Sequence, residues 1–382
     1  MGLTLDKNIS LKQTLADLVA FNSVSARANG LIIDYLAKRC AALGFSVQRF
    51  PYSDDNGVEK TNLLAVAGPA TNSNVQLALV GHTDTVPYDP NWTEALQLNE
   101  REGKLFGRGA CDTKAFIAAA LTAVVGLELK DLRHPLALLF TADEEIGLIG
   151  AKRFADERRM QARFAIVGEP TSLRPMRAGK GYCLAEITVK GREAHSAYPS
   201  LGTSAVFGAA RLVARIEEMA KELEAETHAD FDPPYTTLNV GVLHGGTAKN
   251  VVPGLSSFTL EWRPIPGQKT ERLLDLLHAA IANETARDSN LVFAVDAARA
   301  DQGFETSANS ELVTTLEGLT GNSAGTVAFG TEAAQMADLG AEAVVLGPGN
   351  IREAHRTGEF VPVSELEACV TVLRQAIEKF CL

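Results

Sequence analysis

Four short and wholly apolar segments recur along the chain, and polar residues capable of chemistry follow each of them. Apolar, β-prone segments of this length that alternate with helices are typical of strands buried on both faces of a sheet. The pattern therefore predicts an α/β fold with a central, largely parallel or mixed sheet. The four segments are Leu77–Val80, Leu136–Phe140, Phe164–Val167 and Ala343–Leu346.

Helices are predicted before and between these segments. Near the start, Ser10 and Gln13 have the spacing of a capping box, and residues 31–43 follow helical spacing. The stretch Ala115–Leu127 is apolar nearly all round, which predicts a buried helix. Asp112 lies at the N-terminal end of that helix, where a carboxylate is favoured as a cap.

The middle of the chain has a different pattern. Tyr182–Val189 alternates like a half-exposed strand, and two helices and three further strands are predicted between it and Val295. The order βαββαβ predicts a ferredoxin-like domain, a small open-faced sheet with two helices on one side. We therefore expect a first domain over 1–178 that resumes at 296–382, with the second domain, 179–295, inserted into it.

Composition narrows the classes of partner. The 382 residues include 36 Lys and Arg against 47 Asp and Glu, for a formal net charge of −11. Binding to nucleic acid or to an anionic membrane requires clustered basic residues, so neither partner is expected. Five scattered cysteines fit a reducing compartment. With no visible signal peptide and no apolar stretch near the ~20 residues of a membrane span, a cytoplasmic protein is expected.

Acids and histidines concentrate where the predicted strands end. In open α/β sheets, ligands bind beyond the carboxyl ends of the strands, so we expect these side chains to converge. Two imidazoles and several carboxylates, with no cysteine in a ligand pattern, suit a dinuclear zinc, cobalt or manganese site. Two such ions would lower the pKa of a bound water to ~7. The residues are His82, Asp84, Glu144, Glu145, Glu169 and His355.

Each of these residues also has an ordinary structural interpretation. In the H-x-D pair, His82 binds a metal while Asp84 orients it, or the segment is a strand-end turn that Asp84 caps. Asp112 is a helix cap or a ligand that bridges two cations. Glu144 and Glu145 belong to a solvated acidic turn, or one binds a metal while the other acts as a base. Local sequence leaves these alternatives open.

Taken together, the motifs resemble the M20 family of dinuclear metallo-amidohydrolases and exopeptidases. The resemblance rests on GHTDTVP at 81–87, GRGACDTK at 107–114, TADEE at 141–145, GEPT at 168–171 and EAHRTGEF at 353–360. It implies a zinc-exopeptidase-like catalytic domain with an inserted dimerisation (lid) domain. It also implies a pair of divalent metal ions per subunit, zinc or cobalt, and a homodimer formed through the lid.

The resemblance further implies a role for each strand-end residue. Glu144 would be the general base and then the proton donor to the leaving amine, while Asp84 would orient His82. Asp112 would precede a non-proline cis peptide bond. The metal sites would share Asp112, with His82 and Glu169 completing one site and Glu145 and His355 completing the other.

Four more residues are candidates for the substrate or its transition state. By resemblance, His195 of the lid would reach the neighbouring subunit's site and stabilise the oxyanion. Asn250 and Arg263 would hold the substrate's α-carboxylate, Arg263 through a bidentate fork. Thr331, in the motif Gly330-Thr331-Glu332, is a candidate for a further substrate contact. A packed histidine, a turn asparagine and a surface ion pair are the ordinary alternatives for the first three.

The substrate expected from the resemblance is an N-acyl amino acid. Segments 174–182, 234–254 and 346–355 are most like the branch of the family that converts N2-acetyl-L-ornithine and water to L-ornithine and acetate in arginine biosynthesis. Alternatives within the family are a succinyl-diaminopimelate desuccinylase, an aminoacylase or a dipeptidase. An alternative from another class is an inactive binding or assembly subunit. Ala115 and Ala194 depart from the glycines usual in the family motifs.

Overall fold

The computed structural model describes residues 10–69 and 74–382. The chain divides into two compact units. The first extends to Arg177 and resumes over Thr306–Gly325 and Thr331–Leu382, and the second comprises Ala178–Glu305 with Thr326–Gly330. The expected return to the first domain at residue 296 falls inside a strand that continues to Asp301, so the second unit extends further along the chain.

The described residues form the following strands and helices, numbered in chain order. The strands are β1 Ser46–Ser53, β2 Glu59–Ala67, β3 Asn74–His82, β4 Asn99–Arg101, β5 Lys104–Phe106, β6 Leu136–Thr141, β7 Gln161–Val167, β8 Met176–Gly179, β9 Tyr182–Lys190, β10 Ala194–His195, β11 Thr237–Gly245, β12 Val251–Val252, β13 Leu255–Arg263, β14 Val292–Asp301, β15 Phe304–Glu305, β16 Gly325–Val327, β17 Glu342–Val345 and β18 Phe360–Pro362. The helices are α1 Leu11–Ala20, α2 Gly30–Leu43, α3 Lys114–Ala123, α4 Ile149–Asp156, α5 Ala205–Leu223, α6 Glu271–Arg287, α7 Glu311–Thr320, α8 Ala333–Asp338 and α9 Val363–Cys381.

The first unit contains the central mixed sheet that the sequence predicts. Six of its strands lie in the order β1-β2-β6-β3-β7-β17. The last four of these are mutually parallel, while β1 and β2 run antiparallel to their neighbours. All six residues of β6 are buried, as expected for a strand covered on both faces. The carboxyl ends of the four parallel strands therefore share one edge of the sheet.

Two helix predictions are tested by the first unit. The buried helix is confirmed, because every residue of α3 except Thr122 is buried. The capping box at α1 is only half formed. The Ser10 hydroxyl accepts the backbone N–H of Gln13 at 3.3 Å, whereas the Gln13 side-chain amide donates to Asp17 at 2.7 Å. The box requires the Gln13 side-chain oxygen to accept the backbone N–H of Ser10, whereas the Gln13 side chain is bonded to Asp17, one turn further along the helix.

The second unit has the predicted βαββαβ order. Its four-stranded sheet, β11-β13-β9-β14, is antiparallel throughout. The alternate residues of β9 are fully buried, and they form one apolar core with residues of α5 and α6. The sheet therefore buries one face under both helices. Among the described residues of the two units, no helix combines the length and apolar character that spanning a membrane would need.

Candidate metal centre and active site

The parallel strands bring the predicted site residues to one edge of the sheet. His82 ends β3 and stands opposite Thr141, the last residue of β6. Val167, which ends β7, stands opposite Val80 of β3 on one side and Val345 of β17 on the other. The four segments that leave these strands consequently start at neighbouring points.

Asp112 lies between the two histidines. One carboxylate oxygen, Oδ1, is 3.0 Å from Nε2 of His82, and the other, Oδ2, is 3.2 Å from Nε2 of His355. Asp112 does not act as a helix cap: α3 is preceded by Thr113 and has no side-chain capping bond. The Asp112–Thr113 peptide bond is cis, as the resemblance implies. Each oxygen of one carboxylate thus faces a different imidazole.

Two groups of potential metal ligands share this aspartate. In each group, one ligand atom per residue lies within 4.8 Å of the others: His82, Asp112 and Glu169 in the first, and Asp112, Glu145 and His355 in the second. His355 Nε2 is 3.0 Å from Oε2 of Glu145. The donors are imidazole nitrogens and carboxylate oxygens, which suit zinc or cobalt in a non-structural site. The residues present therefore fit divalent metal ions, and Asp112 is available as a ligand in both groups.

The electrostatics of the cluster favour added positive charge. Burial, reinforced by the neighbouring Asp112 and Glu144 carboxylates, raises the pKa of Glu169 well above its ordinary value. Hydrogen bonds to Asp112 and Glu145 raise the pKa of His355 to about 10. Carboxylates crowded at low solvent exposure destabilise one another, and a nearby cation relieves that repulsion. A divalent ion supplies this charge more strongly than a proton does.

Asp84 holds both the histidine and the loop that carries the expected base. Nδ1 of His82 is 3.1 Å from the backbone oxygen of Asp84 and 3.6 Å from its Oδ1. The Asp84 carboxylate accepts the backbone N–H groups of Glu144 at 3.1 Å and Glu145 at 3.3 Å, and the hydroxyl of Ser25 at 2.7 Å. The backbone of Asp84 thus orients the imidazole, while its side chain fixes the neighbouring loop.

The acidic turn after β6 is partly buried, contrary to the interpretation as a solvated turn. Asp143 forms an ion pair with Lys60 at 2.6 Å, and both side chains are fully buried. The Tyr52 hydroxyl also donates to Asp143 at 2.9 Å. Asp143 has a left-handed backbone, with φ of 57°, and this turn presents Glu144 and Glu145. Sequence inspection missed Lys60, because it lies on β2, far along the chain.

The motif containing Thr331 places a different side chain at the sheet edge. The Thr331 hydroxyl accepts the N–H of Ala333 at 3.2 Å, so it is engaged at the start of α8. Glu332 is fully buried and accepts a hydrogen bond from the hydroxyl of Thr141, at the end of β6. Burial raises the pKa of Glu332 to about 7. Glu332 belongs to the same candidate motif as Thr331, and its fully buried carboxylate distinguishes it from an ordinary surface glutamate.

The second unit contains the three other candidates. His195 and Asn250 are exposed, and their segments meet where the Asn250 carbonyl accepts the N–H of Ser196 at 3.0 Å. Arg263 is more constrained: it pairs with Glu261 at 2.8 Å, and its guanidinium lies 4.5 Å from the Tyr182 ring centroid. The roles of these three residues toward a substrate stay predictions.

The mixed sheet with this cluster at its carboxyl edge defines the zinc-exopeptidase-like class of α/β proteins. The sequence profile of Peptidase family M20/M25/M40 matches residues 78–379. The chain belongs to this family and is therefore a hydrolase.

Relatives agree with this assignment over nearly the whole chain. An acetylornithine deacetylase from Myxococcus xanthus is 52% identical over 374 residues, covering 97% of this chain and 98% of the relative. An acetylornithine deacetylase from Proteus mirabilis is 36% identical, covering 96% of this chain and 95% of the relative. Among solved structures, a tripeptidase from Staphylococcus aureus matches with a TM-score of 0.78 at 22% identity, covering 97% of each chain. That structural likeness supports the fold.

Proposed function

We propose that the protein hydrolyses N2-acetyl-L-ornithine to L-ornithine and acetate with a pair of divalent ions, zinc or cobalt, in each subunit. The observation that carries the metal chemistry is Asp112, whose oxygens face His82 and His355 and which both ligand groups share. The substrate is supported by relatives named acetylornithine deacetylase, one of them 52% identical over nearly the full chain.

The chain's own residues divide the work of amide hydrolysis. Bound divalent ions would supply Lewis-acid chemistry, lowering the pKa of water and polarising the acyl carbonyl. Glu144 belongs to neither ligand group, so its carboxylate is available to take a proton from water and deliver it to the leaving amine. Burial and the neighbouring Glu145 and Asp112 carboxylates raise the pKa of Glu144, while His82 opposes the shift. A raised pKa suits both halves of this proton transfer.

In this proposal, the second unit is a lid domain through which two copies of the chain form a homodimer. Strand β11 is an edge strand of its sheet, and Val242 and Leu243 on it are 48% and 47% exposed. On α5, Phe207 is 70% exposed. An open edge with exposed apolar side chains is an interaction liability that a second copy would cover. In the dimer, His195 would stabilise the oxyanion of the partner subunit's reaction, and Asn250 and Arg263 would hold the substrate's α-carboxylate.

A substrate panel tests the proposed reaction. Purified protein loaded with Zn²⁺ or Co²⁺ is assayed with N2-acetyl-L-ornithine, N-succinyl-diaminopimelate, other acyl-amino acids and dipeptides. We expect the highest kcat/KM with N2-acetyl-L-ornithine. A preference of about tenfold or more for another compound overturns the substrate assignment. Binding of well under one ion per chain after reconstitution would instead identify an inactive relative.

The proposal that His195 of one subunit acts in the active site of the other is tested by mixing two impaired variants. Because an oxyanion donor contributes about 10²–10³ in rate, His195→Ala is expected to lose that factor with its metal content unchanged. Mixing it with Glu144→Gln is expected to restore part of the turnover, since one site of a mixed dimer has both groups intact. Glu144→Gln mixed with Asp112→Ala, both in the first unit, is the control and restores nothing. Equal activity before and after the first mixing contradicts this proposal.

A further inference from the structure

Glu359 is a fully buried carboxylate that belongs to neither ligand group. It lies in the segment that joins His355 to β18. Its Oε1 accepts two backbone N–H groups, from Cys111 at 2.8 Å and from Asp112 at 3.0 Å. Its Oε2 forms an ion pair with Arg108 at 2.5 Å. The Glu359 side chain thus holds the backbone of Asp112, the residue shared by both ligand groups, through a hydrogen bond.

Arg108 balances the charge of this carboxylate. The guanidinium is 3% exposed, donates to the backbone oxygen of Pro87 at 3.3 Å, and lies 5.5 Å from the Trp92 ring centroid. A buried carboxylate that accepts N–H groups on one oxygen and a guanidinium on the other has both oxygens satisfied. If a glutamine at this position kept its oxygen on the two backbone N–H groups, its NH₂ would face the guanidinium of Arg108. Two hydrogen-bond donors would then face each other without an acceptor. The geometry therefore requires a carboxylate.

The backbone joins the same two segments. The N–H of Gly107 donates to the carbonyl of Glu359 at 3.1 Å, and β18 pairs with β5 directly beside this contact, with Phe360 opposite Phe106. One segment leads into Asp112 and the other follows His355. These two ligands approach each other at 3.2 Å. The spacing between them thus depends on the junction at Glu359.

We propose that Glu359 is a positioning residue that sets the spacing of Asp112 and His355, and thereby the affinity of the group Asp112, Glu145 and His355 for its divalent ion. The inference rests on the proposed function, because it presumes the ion pair. Residues that orient metal ligands typically contribute 10–100-fold to metal affinity. The group His82, Asp112 and Glu169 depends less on the junction, because Asp112 is its only member held there. Its other two members, His82 and Glu169, lie on β3 and after β7.

Cobalt titration of the full-length protein tests this role. Metal-stripped protein is titrated with Co²⁺ by calorimetry and visible absorption, well below its melting temperature. Glu359→Gln is expected to weaken binding of one ion by about 10–100-fold and the other ion less. Raising the Co²⁺ concentration is expected to restore most of kcat, since the variant keeps every ligand and Glu144. Loss through packing alone would lower the melting temperature and leave both affinities unchanged.

Two further variants make the outcome decisive. Glu359→Asp keeps the charge but is one methylene shorter, so it cannot reach both partners; its affinity for the weaker ion is expected between those of wild type and Glu359→Gln. Glu284→Gln breaks another Arg–Glu pair, with Arg211 in the second unit, and is expected to leave both affinities unchanged. Wild-type affinity in folded Glu359→Asp or Glu359→Gln overturns the inference. If wild-type protein itself binds no ions, the proposed function fails instead.

Discussion

Replacing Glu144 by glutamine is expected to lower turnover by about 10²–10⁴-fold while both ions stay bound, because an amide cannot accept the proton of the attacking water. Glu144 is in neither ligand group. Its backbone N–H is held by Asp84 at 3.1 Å, and the turn is anchored by the buried pair of Asp143 and Lys60. The substitution should therefore change the chemistry of the side chain without moving it. Steady-state kinetics with metal analysis of the same samples measures both quantities.

The neighbouring glutamate provides a matched control. Glu145 follows Glu144 on the same turn and also donates its N–H to Asp84, but its carboxylate belongs to a ligand group with Asp112 and His355. Glu145→Gln should therefore weaken the binding of one ion, whereas Glu144→Gln should not. Turnover of Glu144→Gln at the wild-type rate would remove Glu144 from its role as the base.

The central sheet and the neighbourhood of the strand ends were predictable from local sequence. A strand buried on both faces must be apolar throughout, so its end is marked by the first polar residues, such as His82 at the end of β3 or Glu169 after β7. Parallel strands point their carboxyl ends the same way. An apolar segment and the acid or histidine at its end were therefore enough to predict that side chains distant in the sequence lie close together in the fold.

The residues that fix the site were not predictable in this way. Lys60 meets Asp143 across 83 positions of the chain, and Glu359 reaches the backbone of Asp112 across 247. A buried lysine or glutamate has no local pattern that distinguishes it from a surface residue, because its burial is decided by tertiary packing. The role of Asp112 was equally ambiguous, since a carboxylate at a helix start is most often a cap. The absence of a capping bond at α3 and the positions of His82 and His355 beside its two oxygens favour the ligand interpretation.

Asp112 is the residue whose loss should have the largest effect. Because Asp112 belongs to both ligand groups, the Asp112→Ala variant is expected to bind neither ion tightly. Its turnover should fall by more than ~10⁴-fold, the upper limit expected for removing a general base. Glu169→Ala and Glu145→Ala each remove a carboxylate from one group alone, so each should retain one ion. Metal analysis after dialysis against a defined free Zn²⁺ concentration counts the ions.

Comparison of these three variants distinguishes an Asp112 that is a ligand of both ions from an Asp112 that only lies near them. All three remove a carboxylate from the same cluster, so a general loss of negative charge would reduce ion binding in each of them alike. A bridging aspartate predicts an unequal pattern, since only its removal dismantles both groups at once. Asp54→Ala, at an acid that bonds the backbone of Asn56 and Val58 in the turn after β1, should keep both ions. Retention of both ions by folded Asp112→Ala, checked by its thermal melt, would exclude a shared ligand at this position.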